Sequence, residues 1–420
     1  MIEKKTLSNG ARLVWEAMPH VRSAAVGFWV GRGSRHEPDG LSGISHAIEH
    51  MVFKGTSGRT AQQIASEMDA IGGQVNAFTT KESTCFYARA LDSHLPVAIE
   101  LLGDIFLEPR FAEEDWENER GVILEEIDMY EDSPEDLVTE RLFSTVWGGM
   151  SLGRPILGTP ETLAAMDASQ IREYKNGAYL PGDIVVSLAG KFSPSDLEEL
   201  ERLLLSLDVG QSGELAPCAY TPGFAVREKP IEQNHLCLGF PGLPLGHDDR
   251  YVMSVLSGIL GAGMSSRLFQ MVREQKGLCY SIYSFTANHA DTGVLGIYTA
   301  LGKETEKQAL RLTREVIDDF VVKGPKAHEL ERVREQIKAN ILMGMESTSS
   351  RMTHIGQGEL LTGRVPEPDE IIKKLDAVTV ERVTGLAKRV FDFDRVSFSA
   401  VGQVDSEGAY RETVGSACLV

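Results

Sequence analysis

Apolar positions along the first third of the chain switch between a two-residue and a three-to-four-residue spacing, and the switches mark out its elements. Residues 10–17 (G-A-R-L-V-W-E-A) and 23–31 (S-A-A-V-G-F-W-V-G) read as strands, the second apolar enough to be buried. Residues 41–54 read as a helix, with Ser42 or Ser45 as its N-cap and Gly55 just past its end. A second helix over 60–71 stops at Gly72-Gly73. Strands over 74–80 and 84–91 follow, joined by the polar turn Lys81-Glu82-Ser83. Helices then dominate, over 95–106, 112–129 and 134–146. Strands in pairs followed by runs of helices argue for an α+β domain whose antiparallel or mixed sheet is covered on one face.

A weak repeat runs through the whole chain. A-M-D-A-S-Q-I-R-E-Y from Ala165 leads to the strand-like D-I-V-V-S-L-A-G ending at Gly190. K-L-D-A-V-T-V-E-R-V from Lys374 leads to R-V-S-F-S-A-V-G ending at Gly402. Aligned on Asp167 and Asp376, and on the two glycines, the copies lie about 210 residues apart, an ordinary domain size. Between them, residues 207–224 have the Gly, Pro and Ser density of a linker. The expectation is two homologous domains, 1–212 and 223–420, joined by a linker over 213–222.

At 420 residues, with 42% hydrophobic and 25% charged positions, the composition is that of an ordinary globular protein. Lys+Arg 42 against Asp+Glu 61 gives a formal net charge of -19. Such a charge repels nucleic-acid phosphates and anionic membranes at long range and raises the prior for a cationic partner. No apolar run is long enough to span a bilayer, and the start M-I-E-K-K-T-L-S-N-G has no apolar signal core, so a cytoplasmic protein without membrane insertion is expected. The five cysteines (Cys85, Cys218, Cys237, Cys279, Cys418) are scattered and never spaced C-x-x-C, which predicts reduced thiols.

The chemistry concentrates on the first predicted helix, in His46-Ala47-Ile48-Glu49-His50. Imidazoles at i and i+4 share one helix face and can reach a single zinc ion. Glu49 shares that face and is placed to take a proton from water activated by the metal rather than to ligate. By chance H-x-x-E-H should arise about 0.02 times in a chain of this composition. A zinc enzyme needs a third protein ligand. On the acid-rich helix, Glu119 and Glu126 lie seven apart on one stripe while Glu125 is rotated about 100° away. One of the pair could ligate and the other orient it; spacing alone does not rank them.

G-I-S-H-A-I-E-H-M-V-F-K-G-T, residues 43–56, resembles the inverted zinc motif of the pitrilysin and insulinase metallopeptidases, the inverzincins. The match is closest to the branch containing the β subunit of mitochondrial processing peptidase and its short bacterial relatives. E-N-E-R-G-V-I-L-E-E-I, residues 117–127, resembles the family's third-ligand segment, so the resemblance selects Glu126 as ligand and Glu119 as its supporting acid. G-G-Q-V-N-A-F-T-T, residues 72–80, resembles the active-site edge strand to which substrate adds. Asn76, Ala77 and Phe78 are then implied to bind substrate. In the second half, G-I-L-G-A-G-M-S-S-R-L-F-Q and V-R-E-Q-K-G-L-C-Y-S-I-Y-S resemble the segments that complete the site. Tyr280 is implied to donate to the oxyanion and Arg273 to hold substrate main chain. The second half has no H-x-x-E-H, so the expectation is one Zn²⁺ per chain and a metal-free second domain. Ala47 departs from the larger apolar residue of many relatives and leaves the ligands intact.

The resemblance implies a zinc endopeptidase acting on peptides or unfolded segments, built as a half clam-shell and completed as a homodimer. Its rivals are a non-catalytic assembly subunit like the core proteins of respiratory complexes, and the catalytic half of a two-chain peptidase. Residues 113–136 hold twelve acids against Arg120 alone, beside the proposed zinc site. They favour basic peptides if they face substrate, and form a solvated surface if they do not.

Overall fold

The computed structural model describes residues 1–210, 213 and 215–415; Cys418 and residues 211, 212 and 214 of the expected boundary lie outside them. Among the described residues eleven strands form two sheets. The first contains β1 (Ile2–Thr6), β2 (Arg12–Ala17), β3 (Ser23–Val30), β4 (Gln74–Thr79), β5 (Thr84–Leu91) and β6 (Ile184–Gly190), in the order β1-β2-β6-β3-β5-β4. The second contains β7 (Phe224–Glu228), β8 (Asn234–Pro241), β9 (Ser281–Asn288), β10 (Gly293–Leu301) and β11 (Ser397–Gly402), in the order β7-β11-β8-β10-β9. In each sheet one parallel pair, β2 with β6 or β7 with β11, adjoins antiparallel neighbours. The second sheet thus repeats the first without β1. That strand went unread in the sequence because I-E-K-K-T has a single half-buried position and no alternation.

The helices of the first half are α1 (Ile44–Met51), α2 (Ala61–Ala70), α3 (Leu95–Leu107), α4 (Glu113–Glu131) and α5 (Pro134–Val146). The repeat needs a three-residue correction at its aspartates. Asp167 caps the helix Ala168–Ala178, and its counterpart is Thr379, which caps Val380–Val390 in the same way. Asp376 instead ends the preceding helix. The spacing of the caps then equals the 212-residue spacing of Gly190 and Gly402.

The chain divides into two compact units that differ from the expected contiguous halves by an exchange. The first comprises Met1–Ile127, Arg154–Ala216 and Leu342–Pro366; the second comprises Asp128–Gly153, Pro217–Ile341 and the residues from Glu367 onward. Each unit therefore takes one helical segment from the opposite half of the sequence. That segment covers a second sheet face, so the expectation of cover on one face is corrected to two. In the first unit one face carries the large core with α1 and α3, and the other packs Trp29, Val14 and Cys85 against Met352 and Ile355 of the helix Thr348–Thr362. In the second, α5 places Leu142 and Val146 against Cys237 and Val401. Apolar side chains on both faces of β3 and β6 leave these strands almost fully buried, which drives the double cover.

The helix Thr348–Thr362 docks closely, since a Cβ on Gly356 would overlap the Trp29 indole. It is also anchored by charge. Arg351 bonds the buried Glu16, and Glu359 accepts Lys4 at 2.9 Å and Arg12 at 3.3 Å. Arg351→Ala leaves the buried Glu16 carboxylate to the terminal amine of Met1, 3.5 Å away, and is expected to cost about 3 kcal/mol. Urea unfolding of the full chain measures it; a loss below about 1 kcal/mol contradicts the anchoring role.

Candidate metal centre

All of the proposed metal-site residues of the first half lie within the first unit. Helix α1 starts late, at Ile44, because its N-cap is Gly43 with φ 96, a left-handed conformation that favours glycine. The expected caps Ser42 and Ser45 do not cap: the N-cap is Gly43, Ser45 lies inside the helix, and no N-cap side chain bonds the first turn. The helix then projects His46, Glu49 and His50 from one face, as the spacing predicts.

The imidazoles stand 4.6 Å apart between ring centroids, inclined at 66°. Glu126 Oε2 from α4 lies 3.5 Å from His46 Nε2 and 3.6 Å from His50 Nε2. Ligands held at about 2.0–2.1 Å around a tetrahedral zinc are about 3.3 Å from one another, so three side chains already sit close to the required triangle. They are the group among the described residues whose ligand atoms converge closely enough for a metal ion. Burial, followed by the neighbouring His50, lowers His46 to about 3, so its ring is neutral as a ligand must be. The residues present fit zinc.

Glu119 reaches α1 at a different atom. Its Oε2 meets His50 Nδ1 at 3.1 Å, the bond that turns Nε2 toward Glu126, and its Oε1 meets Lys54 Nζ at 2.5 Å. Lys54 was not singled out in the sequence; its i+4 spacing from His50 was the available signal. Glu49 lies half-buried and accepts the Thr79 hydroxyl at Oε2, 2.6 Å away. Burial raises its pKa; the Thr79 hydrogen bond opposes the rise.

Strand β4, which carries Thr79, is the edge of its sheet. The turn bond from the Thr80 amide to the Ser83 carbonyl, 2.8 Å, sets the alternation along it. Main-chain groups of Asn76 and Phe78 therefore face β5, and those of Val75, Ala77 and Thr79 point to the open side. Side chains alternate too: Ala77 enters the core on the α1 face, Asn76 is exposed, and Phe78 packs on the opposite face against Trp29. The turn residues Lys81, Glu82 and Ser83 are buried rather than solvated; Lys81 donates to the Arg154 carbonyl at 2.5 Å and Glu82 pairs with Arg35.

Arg273 and Tyr280 belong to the second unit. Arg273 sits in a π-helical turn, Phe269–Glu274, with its guanidinium 4.5 Å from the Phe269 ring centroid and 5.7 Å from that of Tyr280. Tyr280 stands just before β9 and is 71% exposed.

Comparisons with known proteins match the chain along most of its length. The model of the insulinase family, peptidase family M16, matches residues 12–160, and that of the peptidase M16 inactive domain matches residues 165–337. The chain is 45% identical over 395 residues to an uncharacterized zinc protease of Bacillus subtilis, spanning 94% of this chain and 97% of that one. It is 39% identical over 420 residues to an uncharacterized zinc protease of Streptomyces coelicolor, spanning 98% of this chain and 91% of that one. Its fold is that of a peptidase M16 inactive domain from Pseudomonas fluorescens, with TM-score 0.90, 19% identity, and coverage of 97% of this chain and 99% of that one. A protease from Helicobacter pylori superposes with TM-score 0.88 at 20% identity, over 96% of this chain and 99% of that one.

Proposed function

Because the chain belongs to the insulinase family, peptidase family M16, we propose that it is a zinc metalloendopeptidase acting on peptides or unfolded segments. The observation that carries this reading is the convergence of His46, His50 and Glu126 beside Glu49, at the end of an open sheet edge. His46, His50 and Glu126 hold one zinc ion. When bound, zinc supplies Lewis acidity, polarising a carbonyl and lowering the pKa of water. Glu49 takes the proton of the attacking water at its carboxylate and returns it to the leaving amine. The Thr79 hydroxyl holds one Glu49 oxygen, leaving the other for that proton.

Substrate adds to β4 as a further strand through the open main-chain groups of Val75, Ala77 and Thr79. Asn76, Ala77 and Phe78 lie along this segment. Tyr280 donates to the oxyanion and Arg273 holds substrate main chain. Two homologous halves of the sequence, 1–212 and 223–420, a homodimer and a cytoplasmic location belong to the same reading.

The test is cleavage of quenched peptides by the purified chain alone. Activity lost with a chelator and restored by stoichiometric zinc is expected. Full zinc occupancy with no cleavage across a broad peptide library overturns the enzyme reading in favour of an assembly subunit.

A further inference from the structure

The helix that carries His46, Glu49 and His50 begins without the side chain that ordinarily holds a helix start. Its N-cap is Gly43, and a Cβ there would lie 2.8 Å from the Leu157 carbonyl oxygen. Glu37, six residues upstream and buried, supplies the missing acceptors. Its Oε2 accepts the Gly43 amide at 2.8 Å and its Oε1 accepts the Ser45 amide at 2.9 Å. A carboxylate at a helix N-terminus also meets the positive end of the helix dipole.

Glu37 is itself held firmly. Its carbonyl accepts the Arg154 guanidinium at 2.5 Å. Just before it, the turn Ser34–His36 donates from the amides of Ser34 and Arg35 to the carbonyls of Thr80 and Lys81, at 3.2 and 2.9 Å. Arg35 also pairs with Glu82 at 2.5 Å. Those partners form the turn between β4 and β5. The same hairpin holds α1 a second time, through Thr79 and Glu49. Helix α1 is therefore tied to one hairpin at two points, its start and its base.

We propose that Glu37 is a positioning residue for the metal centre, capping α1 from outside so that His46 and His50 converge on Glu126. The proposal rests on the metal-site reading above, and Glu37 acts through α1 rather than on metal or peptide. Burial pushes the Glu37 carboxyl up to about 7, against the pull of the Ser45 and Gly43 amides, the Ser45 hydroxyl and Arg154. Tyr174 and Tyr179, whose phenols feel the same carboxyl, are themselves pushed up, Tyr174 to about 12, and stay neutral in this range.

Glu37→Gln in the full chain tests this, because it preserves shape but offers one acceptor instead of two. In metal-free protein the Gly43 and Ser45 amides are expected to exchange about 2- to 30-fold faster than in the wild type, the range of a lost cap. Amides of β3 and β6 should stay protected, showing that the fold persists. Zinc affinity, measured by competition with a chromophoric chelator, is expected to fall about 10- to 100-fold, as for other residues that orient ligands. Unchanged amide protection in Glu37→Gln overturns the cap, and unchanged zinc affinity overturns the positioning role. If Glu37→Gln does not fold, Glu37→Asp decides the matter: its shorter reach should keep one amide protected and lose the other, and protection of both overturns the proposal. A wild-type chain that takes up no zinc refutes the metal reading, while amide exchange still decides whether Glu37 caps.

Discussion

Replacing Glu49 with Gln is expected to leave zinc bound at wild-type stoichiometry and to lower the rate of peptide cleavage by about 10²–10⁴. The two halves of that expectation come from different atoms. Zinc retention follows because Glu49 lies outside the triangle of His46, His50 and Glu126. The carboxamide can still accept the Thr79 hydroxyl, so the link from α1 to β4 survives. The rate falls because an amide oxygen cannot carry the proton between water and the leaving amine. A titration of zinc content beside a kcat measurement on one peptide checks both. Cleavage by the variant at the wild-type rate removes Glu49 from the reaction.

The same site shows which physical information a sequence holds. Periodicity placed His46, Glu49 and His50 on one face, and α1 presents them so. It also put Glu119 and Glu126 on one stripe of α4, yet could not rank them, because rank depends on a distance between helices that are far apart in sequence. That distance gives Glu126 to both imidazoles and Glu119 to His50 Nδ1 and Lys54. Capping failed for a related reason. Ser42 and Ser45 are suitable residue types, but the φ of Gly43 and the approach of Leu157 hand the work to Glu37.

Local patterns predict elements and miss exchanges between them. The stretch 134–146 reads correctly as a helix, but nothing in it states that it covers the second sheet, or that Thr348–Thr362 covers the first. The acidic segment 113–136 behaves likewise. Its charge is legible, while its use is distributed: Glu113 accepts the Ala168 amide, Asp115 pairs with Arg110, Glu119 and Glu126 lie against His50 and His46, and Glu135 accepts Tyr283. Much of the surplus therefore has a structural partner. Glu114, Glu117, Glu125 and Asp128 are exposed to solvent.

Glu126→Gln is expected to abolish zinc binding and, with it, cleavage. The carboxylate supplies the negative charge of the ligand set and lies within 3.6 Å of both imidazoles. A neutral amide oxygen coordinates far more weakly, and the two histidines left behind form an incomplete site. Glu119 cannot replace it: seven residues along a helix are about 10.5 Å, and its oxygens are engaged by His50 and Lys54. Zinc at one hundred times the wild-type dissociation constant should stabilise the wild type by about 2.7 kcal/mol, and the variant scarcely at all. Thermal unfolding with and without zinc reads the difference directly. An equal zinc-induced rise in Tm for the two proteins would take Glu126 out of the ligand set. Loss of that rise in Glu119→Gln, with retention in Glu126→Gln, would exchange the two glutamates' roles.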